Sequence, residues 1–280
     1  MSTDIASGRI PGWSEDPLTA RARAVWTGPD FLPIARSFEG GAREFIARLA
    51  LRPGERVLDV ACGTGNLAIP AALTGAAVTG IDIAANLVAV ARRQARVIGR
   101  SIQFDVGDAE ALPYEPGQFD RAVTMFGAMF AYRPDRVATE LVRVTRPGGS
   151  VAMANWTPNG VIAEMLRAHA EILPPPAGVP SPLAWGIEAT VRERFGDRVD
   201  SLLCTSRRIE LRFPFPPSAV TELFSTCYGP TVAALASTDP VGRSRLRDRL
   251  TRLFTDHNVA TGGTTAVVGE YLEVRARVRG

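Results

Sequence analysis

The chain has 280 residues, 46% of them hydrophobic and 22% charged, which is enough for one large domain or for a core domain with a modest cap. The formal net charge is only +3, and all 32 basic residues are arginine because the sequence contains no lysine. This composition excludes a Schiff-base lysine and a phosphate-loop lysine, and the small net charge does not indicate a polyanionic partner.

The sequence favours a location in the cytoplasm. Residues Met1–Trp13 mix an acid with glycine and proline and have no apolar signal core, which predicts no export signal. Residues 68–91 form the most apolar stretch, but Pro70 and Asp82 interrupt it, which favours a buried α/β segment over a membrane span. The three cysteines are far apart and match neither a zinc motif nor a disulfide framework (Cys62, Cys204 and Cys227). We therefore expect a cytoplasmic protein without a metal.

Short apolar runs and helical patterns alternate through the first half of the chain. Residues 17–51 have helical spacing and end at Pro53-Gly54. Five strands are then predicted, at Arg56–Val60, Ala77–Ile81, Ile102–Val106, Phe119–Met125 and Ser150–Asn155. The helices between them are predicted at Asn66–Leu73, Ala84–Ile98 and Arg136–Thr145. This alternation predicts parallel βαβ units in a doubly wound α/β sheet, with a ligand crevice beyond the carboxyl ends of the strands.

The second half of the chain is predicted to be mostly helical. Helices are expected at residues 158–173, 189–195, 217–235 with a break at Gly229-Pro230, and 240–258. Alternating apolar residues predict two further strands, at 201–213 and 270–278.

A glycine turn follows the first strand, in the sequence Asp59-Val60-Ala61-Cys62-Gly63-Thr64-Gly65. Gly63 and Gly65 allow the backbone to approach a ligand closely, and the helix that follows presents free N–H groups. Because Gly63-x-Gly65-x-x-Ala68 also fits a dinucleotide fingerprint, this motif alone leaves the cofactor open.

Three acidic residues bear on the choice of cofactor. Asp59, inside the first strand, would repel a pyrophosphate and attract a cationic amino acid headgroup next to a sulfonium. Asp82 ends the second strand, where a carboxylate suits two ribose hydroxyls. Asp108 follows the third strand and suits an adenine amino group, with the Ala109 N–H available to a ring nitrogen.

This ordered set of motifs resembles the class I S-adenosylmethionine-dependent methyltransferases, in particular their small-molecule, ubiquinone-biosynthesis-like branch. The resemblance covers about residues 40–156. It implies S-adenosylmethionine as cofactor and a Rossmann-like, seven-stranded sheet whose last strand is antiparallel. In that family the sixth and seventh strands lie close together in sequence. Here residues 215–263 separate the two later strands, so either they form a helical cap or the sixth strand is misplaced.

The resemblance also implies a role for individual residues. Asp59, Gly63 and Gly65 correspond to the methionine end of the cofactor, and Asp82 to its ribose. Ile83 is then expected near the adenine, Asp108 and Ala109 at the adenine edge, and Phe126 at a backbone carbonyl that faces the cofactor amine. The apolar run around Phe126 fits core packing equally well.

The resulting domain organisation has four parts: an N-terminal helical cap segment at 1–45, the cofactor-binding core at 46–156, a cap or connection at 157–200, and C-terminal strands at 201–280 with a helical insertion at about 216–260. Substrate choice is expected in the cap segments 11–38, 158–186 and 217–258, with Trp185 and Tyr228 as candidate contacts. The expected partner is a small-molecule acceptor, without nucleic acid or membrane, for a monomer or homodimer.

Methyl transfer depends mainly on holding the nucleophile close and excluding water, so the sequence need not show a general base. His169, Tyr228 and His257 are weak candidates for one. His169 also fits an ordinary helix residue, Tyr228 a helix terminator, and His257 a partner of a helix dipole.

Three other functions remain open at this stage. The glycine turn and Asp82 also fit an NAD-dependent oxidoreductase, and the fold alone also fits a non-catalytic binding protein. Five arginines from Arg243 to Arg252 also fit RNA binding by an RNA methyltransferase. Since Leu246, Leu250 and Phe254 share one face of that helix, a solvated amphipathic helix is the simpler interpretation.

Overall fold

The computed structural model describes residues 16–280. The segment Met1–Trp13, on which the export prediction rests, lies outside these residues. Seven strands form one sheet in the order β3-β2-β1-β4-β5-β7-β6. The strands are β1 Arg56–Val60, β2 Ala77–Asp82, β3 Gln103–Val106, β4 Phe119–Met125, β5 Thr145–Trp156, β6 Val199–Phe213 and β7 Thr265–Val278.

The strand directions are those of a doubly wound sheet with one reversed strand. Strands β1 to β5 are parallel to one another, whereas β7 runs antiparallel to both β5 and β6. Val57, Leu58 and Val60 of the central strand β1 are fully buried, as expected for a parallel strand covered on both faces. The predicted seven-stranded α/β fold with an antiparallel last strand is therefore confirmed.

The helices of the core connect the parallel strands in sequence. They are α4 Ala68–Leu73, α5 Ala85–Val97 and α6 Pro134–Val144. Helix α6 shows why they pack onto the sheet, since Val137, Leu141 and Val144 follow helical spacing and are all fully buried. The apolar stretch 68–91 forms α4, β2 and the start of α5, and no helix in the described part of the chain is long and apolar enough to cross a membrane.

The N-terminal region 17–51 contains three helices, where the sequence predicted continuous helical structure. They are α1 Pro17–Thr27, α2 Leu32–Arg36 and α3 Glu39–Leu49. The first break falls at Gly28-Pro29, because Pro29 has no amide hydrogen to donate to a carbonyl of the preceding turn. At the second break, Phe38 leaves the helical region, with φ of −127°.

The remaining helices follow β5 in the chain, two of them before β6 and three between β6 and β7. They are α7 Gly160–Ile172, α8 Glu188–Phe195, α9 Pro217–Cys227, α10 Gly229–Ala236 and α11 Pro240–Asp256. The sixth strand is thus where the sequence predicted it, and the segment before β7 contains α9, α10 and α11. Helix α10 packs against α1 and α9 packs against α2, so this insertion and the N-terminal helices meet on the same side of the core.

Candidate active site

A deep pocket opens where the carboxyl ends of four parallel strands meet. Its wall on the sheet side consists of Ala61–Thr64 after β1, Asp82 and Ile83 after β2, Gly107–Glu110 after β3, and Met125–Ala128 at and after the end of β4. This is where doubly wound sheets bind ligands. Of the eight predicted cofactor contacts, six line the pocket, namely Gly63, Asp82, Ile83, Asp108, Ala109 and Phe126.

The glycine turn after β1 is tight and leaves room above it. Gly63 has a φ of +52° and Gly65 a φ of +96°, both in the left-handed region, and the Gly65 N–H donates to the Cys62 carbonyl at 2.8 Å. A Cβ added to Gly63 would meet no protein atom within 4 Å, because this residue faces the pocket. Gly65 is not part of the lining.

Asp82 is held rigidly at the end of β2 by two backbone amides. Its Oδ2 accepts from the Gly63 N–H and its Oδ1 from the Ala84 N–H, each at 2.8 Å. Burial raises the pKa of this carboxyl to about 6. A carboxylate has about four lone-pair sites, so two remain for ligand hydroxyls.

Asp108 connects the core to the N-terminal helix α1. Its Oδ1 accepts from the Glu110 N–H at 2.9 Å, and its Oδ2 accepts from the Thr19 hydroxyl of α1 at 3.0 Å. Glu110 is held in turn by Arg133, whose Nη1 donates at 2.9 Å, and Arg133 also pairs with Asp16 at the start of α1. Helix α1 is therefore attached by polar contacts to one end of the pocket.

Asp59 does not lie where a cationic headgroup of a ligand would contact it, although its charge suggested such a contact. It is almost fully buried, and its Oδ2 accepts from the Ala68 N–H at 2.9 Å, at the start of α4. Burial raises its pKa well above the usual range of an aspartate. It is not part of the pocket lining, so the structure does not bring it to the pocket with the other acids.

Phe126 is both a core residue and part of the pocket wall. Its ring stacks on Trp156 with centroids 3.5 Å apart, and its backbone adopts a φ of +58°, which is uncommon outside glycine. Its N–H donates to the Ala154 carbonyl at 2.9 Å. The two interpretations of the apolar run around Phe126, core packing and pocket lining, thus apply together.

The wall opposite the sheet is aromatic and comes mainly from the cap segments, with Phe130 added from the segment after β4. Trp26 of α1 contacts Phe130 and Tyr228 edge to face, with centroids 5.3 and 5.8 Å apart. Phe31 and Phe224 complete this group, and all five rings line the pocket. The pocket therefore has an acidic end at Asp82 and Asp108 and an aromatic end between the core and the cap helices.

Comparison with known proteins identifies the family. A family of methyltransferase domains matches residues 57–149. An uncharacterised protein of Mycobacterium tuberculosis strain H37Rv is 35% identical over 228 residues, which is 81% of this chain and 83% of the relative. Methyltransferase GfsG of Streptomyces halstedii is 35% identical over 150 residues, 52% of this chain and 54% of that protein.

A solved structure shares the fold. Phosphoethanolamine N-methyltransferase 2 of Haemonchus contortus, in complex with S-adenosyl-L-methionine, aligns with a TM-score of 0.54 and 16% identity, over 86% of this chain and 53% of that one. The chain belongs to the class I S-adenosylmethionine-dependent methyltransferases.

Only one of the three weak catalytic candidates of this methyltransferase lines the pocket. Tyr228 is 6% exposed and lies between α9 and α10, so it ends a helix and also faces the pocket. His169 lies behind it, with ring centroids 6.1 Å apart, and its Nε2 is 3.0 Å from the Thr231 hydroxyl. Burial lowers the pKa of His169 to about 4, which keeps it neutral at pH 7. His257 is near Glu164, at 3.4 Å, and is not part of the lining.

Trp185, expected as a substrate contact, is a core residue. It is 1% exposed, the Arg194 guanidinium lies 4.4 Å from its ring centroid, and it is absent from the lining of this pocket. The expectation for Trp185 failed because an aromatic side chain in a proline-rich segment fits a buried turn as well as a lid. Conversely, sequence reasoning missed Thr19, since a lone threonine on a helix gives no signal until its partner across the fold is known.

The arginine-rich helix α11 has the amphipathic character that the sequence indicated. Leu246, Leu250 and Phe254 are buried, whereas Arg249 pairs with Glu171 on the surface and the Arg243 side chain donates to the Leu235 carbonyl at 2.9 Å.

Proposed function

We propose that this pocket holds S-adenosylmethionine at its acidic end and a small-molecule acceptor at its aromatic end. The observation that carries the proposal is that six of the eight predicted cofactor residues line one pocket, next to an aromatic wall that the core alone does not supply. When bound, the cofactor supplies a methyl group activated by a sulfonium.

In this proposal the ribose hydroxyls donate to Asp82, whose two remaining lone-pair directions and fixed orientation suit them. Asp108 and the Ala109 N–H take the adenine edge, next to Ile83. Gly63 leaves space for the methionine end where a Cβ would intrude, and the Phe126 carbonyl accepts from the cofactor amine.

Asp59 and Gly65 are assigned an indirect role at the methionine end. The Asp59 carboxyl group accepts a hydrogen bond from the Ala68 N–H, the first amide of α4, and thereby fixes where that helix begins. Gly65 closes the turn in between through its bond to Cys62. Together they hold Gly63 in its left-handed conformation.

The cap segments bind and orient the acceptor. Helices α1, α2, α7, α9 and α10 surround the aromatic end, where they exclude water and orient the acceptor towards the methyl group. The three cysteines are free in the structure, which fits a reducing compartment such as the cytoplasm.

Calorimetric titration tests the proposal. S-adenosylmethionine and S-adenosylhomocysteine are expected to bind with a stoichiometry near one, and NAD is expected not to bind. Binding of NAD in preference would contradict the proposal and favour the dinucleotide interpretation of the glycine turn. Formation of S-adenosylhomocysteine in the presence of a small-molecule library then identifies the acceptor atom as O, N or C.

A further inference from the structure

The charged and aromatic side chains of the pocket are separated in space. The charged lining residues among those the structure describes are all carboxylates, namely Asp82, Asp108 and Glu110, and Glu110 is already neutralised by Arg133. All three lie at or just after the end of β2 or β3, at the end of the pocket that the proposed function gives to the cofactor. The arginines of this chain gather elsewhere, for example at the opposite end of the sheet, where four of them line a second cleft.

The aromatic end is largely apolar, and the Tyr228 hydroxyl is one of the few polar groups in it. Trp26, Phe31, Phe130 and Phe224 surround Tyr228, together with aliphatic and thioether side chains such as Ile162 and Met165. The Tyr228 hydroxyl makes no hydrogen bond within the described part of the chain, and burial alone raises the pKa of this phenol. It therefore stays protonated at neutral pH and can donate to a ligand.

This environment discriminates by charge. An acceptor with a phosphate or carboxylate next to these rings would lose its hydration without gaining a counter-charge, which is costly in an apolar site. A cationic acceptor would gain contact with the rings but would sit close to the positive sulfonium in a medium of low dielectric. A neutral, flat molecule avoids both costs and can pack against rings that are already arranged edge to face.

We infer that the acceptor is an uncharged aromatic small molecule, packed against Trp26 and Phe31, with a polar atom hydrogen-bonded to the Tyr228 hydroxyl. The inference rests on the proposed function, since it assigns the acidic end to the cofactor. If the acceptor oxygen is a hydroxyl, it forms a C–O bond as the C–S bond of the sulfonium breaks, and its proton passes to water.

Binding of four naphthalene probes tests the inference, with fluorescence as the readout and with the protein saturated with sinefungin, an analogue of S-adenosylmethionine that has a cationic amine at the sulfonium position and no methyl group to transfer. The probes share one ring system: 2-naphthol is neutral with a hydroxyl, 2-methylnaphthalene is neutral without one, 2-naphthoate is an anion, and a 2-naphthylmethyl trimethylammonium ion is a cation. We expect 2-naphthol to bind at least tenfold more tightly than either ion, a difference of about 1.4 kcal/mol. An ion that binds as tightly as 2-naphthol overturns the assignment of a neutral acceptor.

The Tyr228→Phe variant tests the polar contact. It should weaken 2-naphthol binding at least threefold and leave 2-methylnaphthalene within twofold, because only the first probe uses the hydroxyl. Equal losses for both probes would overturn the role of the hydroxyl. Tyr114→Phe is the matched control, since its hydroxyl donates to Asp105 at 2.8 Å, outside the pocket lining, and its loss should change neither probe.

The Trp26→Ala variant tests the aromatic wall, and both neutral probes should bind at least fivefold more weakly to it. Unchanged binding of both would overturn the packing against Trp26. Titration of S-adenosylhomocysteine on each variant separates the two levels of the argument. If this ligand does not bind to the wild type, the proposed function fails. If it binds and the probes show no preference, only the inference about the acceptor fails.

Discussion

Asp82 gives cofactor binding a specific pH dependence. Ribose hydroxyls donate to a carboxylate, and the pKa of Asp82 in the free protein is about 6 because burial disfavours its charge. Below that pH the carboxyl must lose a proton before the cofactor binds. The dissociation constant of S-adenosylmethionine should therefore be flat above about pH 7, about twofold higher at pH 6 and about tenfold higher at pH 5.

The Asp82→Asn variant isolates this residue from the other buried acids of the site. It loses charge-assisted hydrogen bonds worth roughly 1.5–3 kcal/mol each, so its dissociation constant should rise at least tenfold and lose the inflection near pH 6. Calorimetry between pH 5 and pH 8 measures both effects. A wild-type profile without an inflection would show that Asp82 does not hold the ribose.

Gly63 can be compared with a second glycine of similar conformation outside the site. Gly63 and Gly54 both have a positive φ, +52° and +78°, and a Cβ added to either meets no protein atom within 4 Å. Alanine at either position should cost about 1–2 kcal/mol of unfolding free energy through the left-handed backbone. Only Gly63→Ala should also weaken S-adenosylmethionine binding, at least tenfold, because its Cβ points into the cofactor space.

Thermal unfolding and calorimetry of the two glycine variants separate backbone strain from loss of the ligand space. Equal affinities for the cofactor in Gly63→Ala and Gly54→Ala would show that Gly63 is not part of the binding site.

At the scale of elements, helix α1 depends on its bond to Asp108. The Thr19 hydroxyl donates to a buried carboxylate, an interaction worth about 1.5–3 kcal/mol when its acceptor is charged. In Thr19→Val, amide hydrogen exchange in residues 18–27 should accelerate by about tenfold or more, since that helix opens more easily.

Thr27→Val is the control for α1, because its hydroxyl is exposed and donates within the same helix, to the Arg23 carbonyl at 2.7 Å. It should leave exchange in residues 18–27 within about threefold. If Thr19→Val behaves in the same way as this control, Thr19 does not attach α1 to the core.

The elements differ in how far the sequence predicts them, for physical reasons. The parallel strands β1 to β4 were predicted within about one residue, and at β1, β2 and β4 burial on both faces produces continuous apolar runs. Strand β7 begins at Thr265, whereas the sequence predicted a start at Glu270. The prediction began too late because Gly269 interrupts the apolar alternation of this strand. That glycine is required by a partner distant in sequence, since its Cβ would lie 2.6 Å from the Trp156 ring.

At the scale of the whole molecule, the sequence predicts the acidic end of the pocket better than the aromatic end. The cofactor residues follow strand ends, so their convergence follows from the topology of a parallel sheet. The aromatic end combines α1 and α2 with the turn after α9, nearly 200 residues later, and no local pattern encodes that meeting. For this reason Tyr228 was recognised only as a candidate, while Trp185 was assigned to the wrong environment.

The central claim, that one pocket binds the cofactor at its acidic end and points it towards the aromatic end, is tested most directly by a crystal structure with S-adenosylhomocysteine. We predict the adenine next to Asp108 and Ala109, both ribose hydroxyls on Asp82, and the sulfur facing the space around Tyr228. A ligand bound in the reverse orientation, or outside this pocket, would contradict the account.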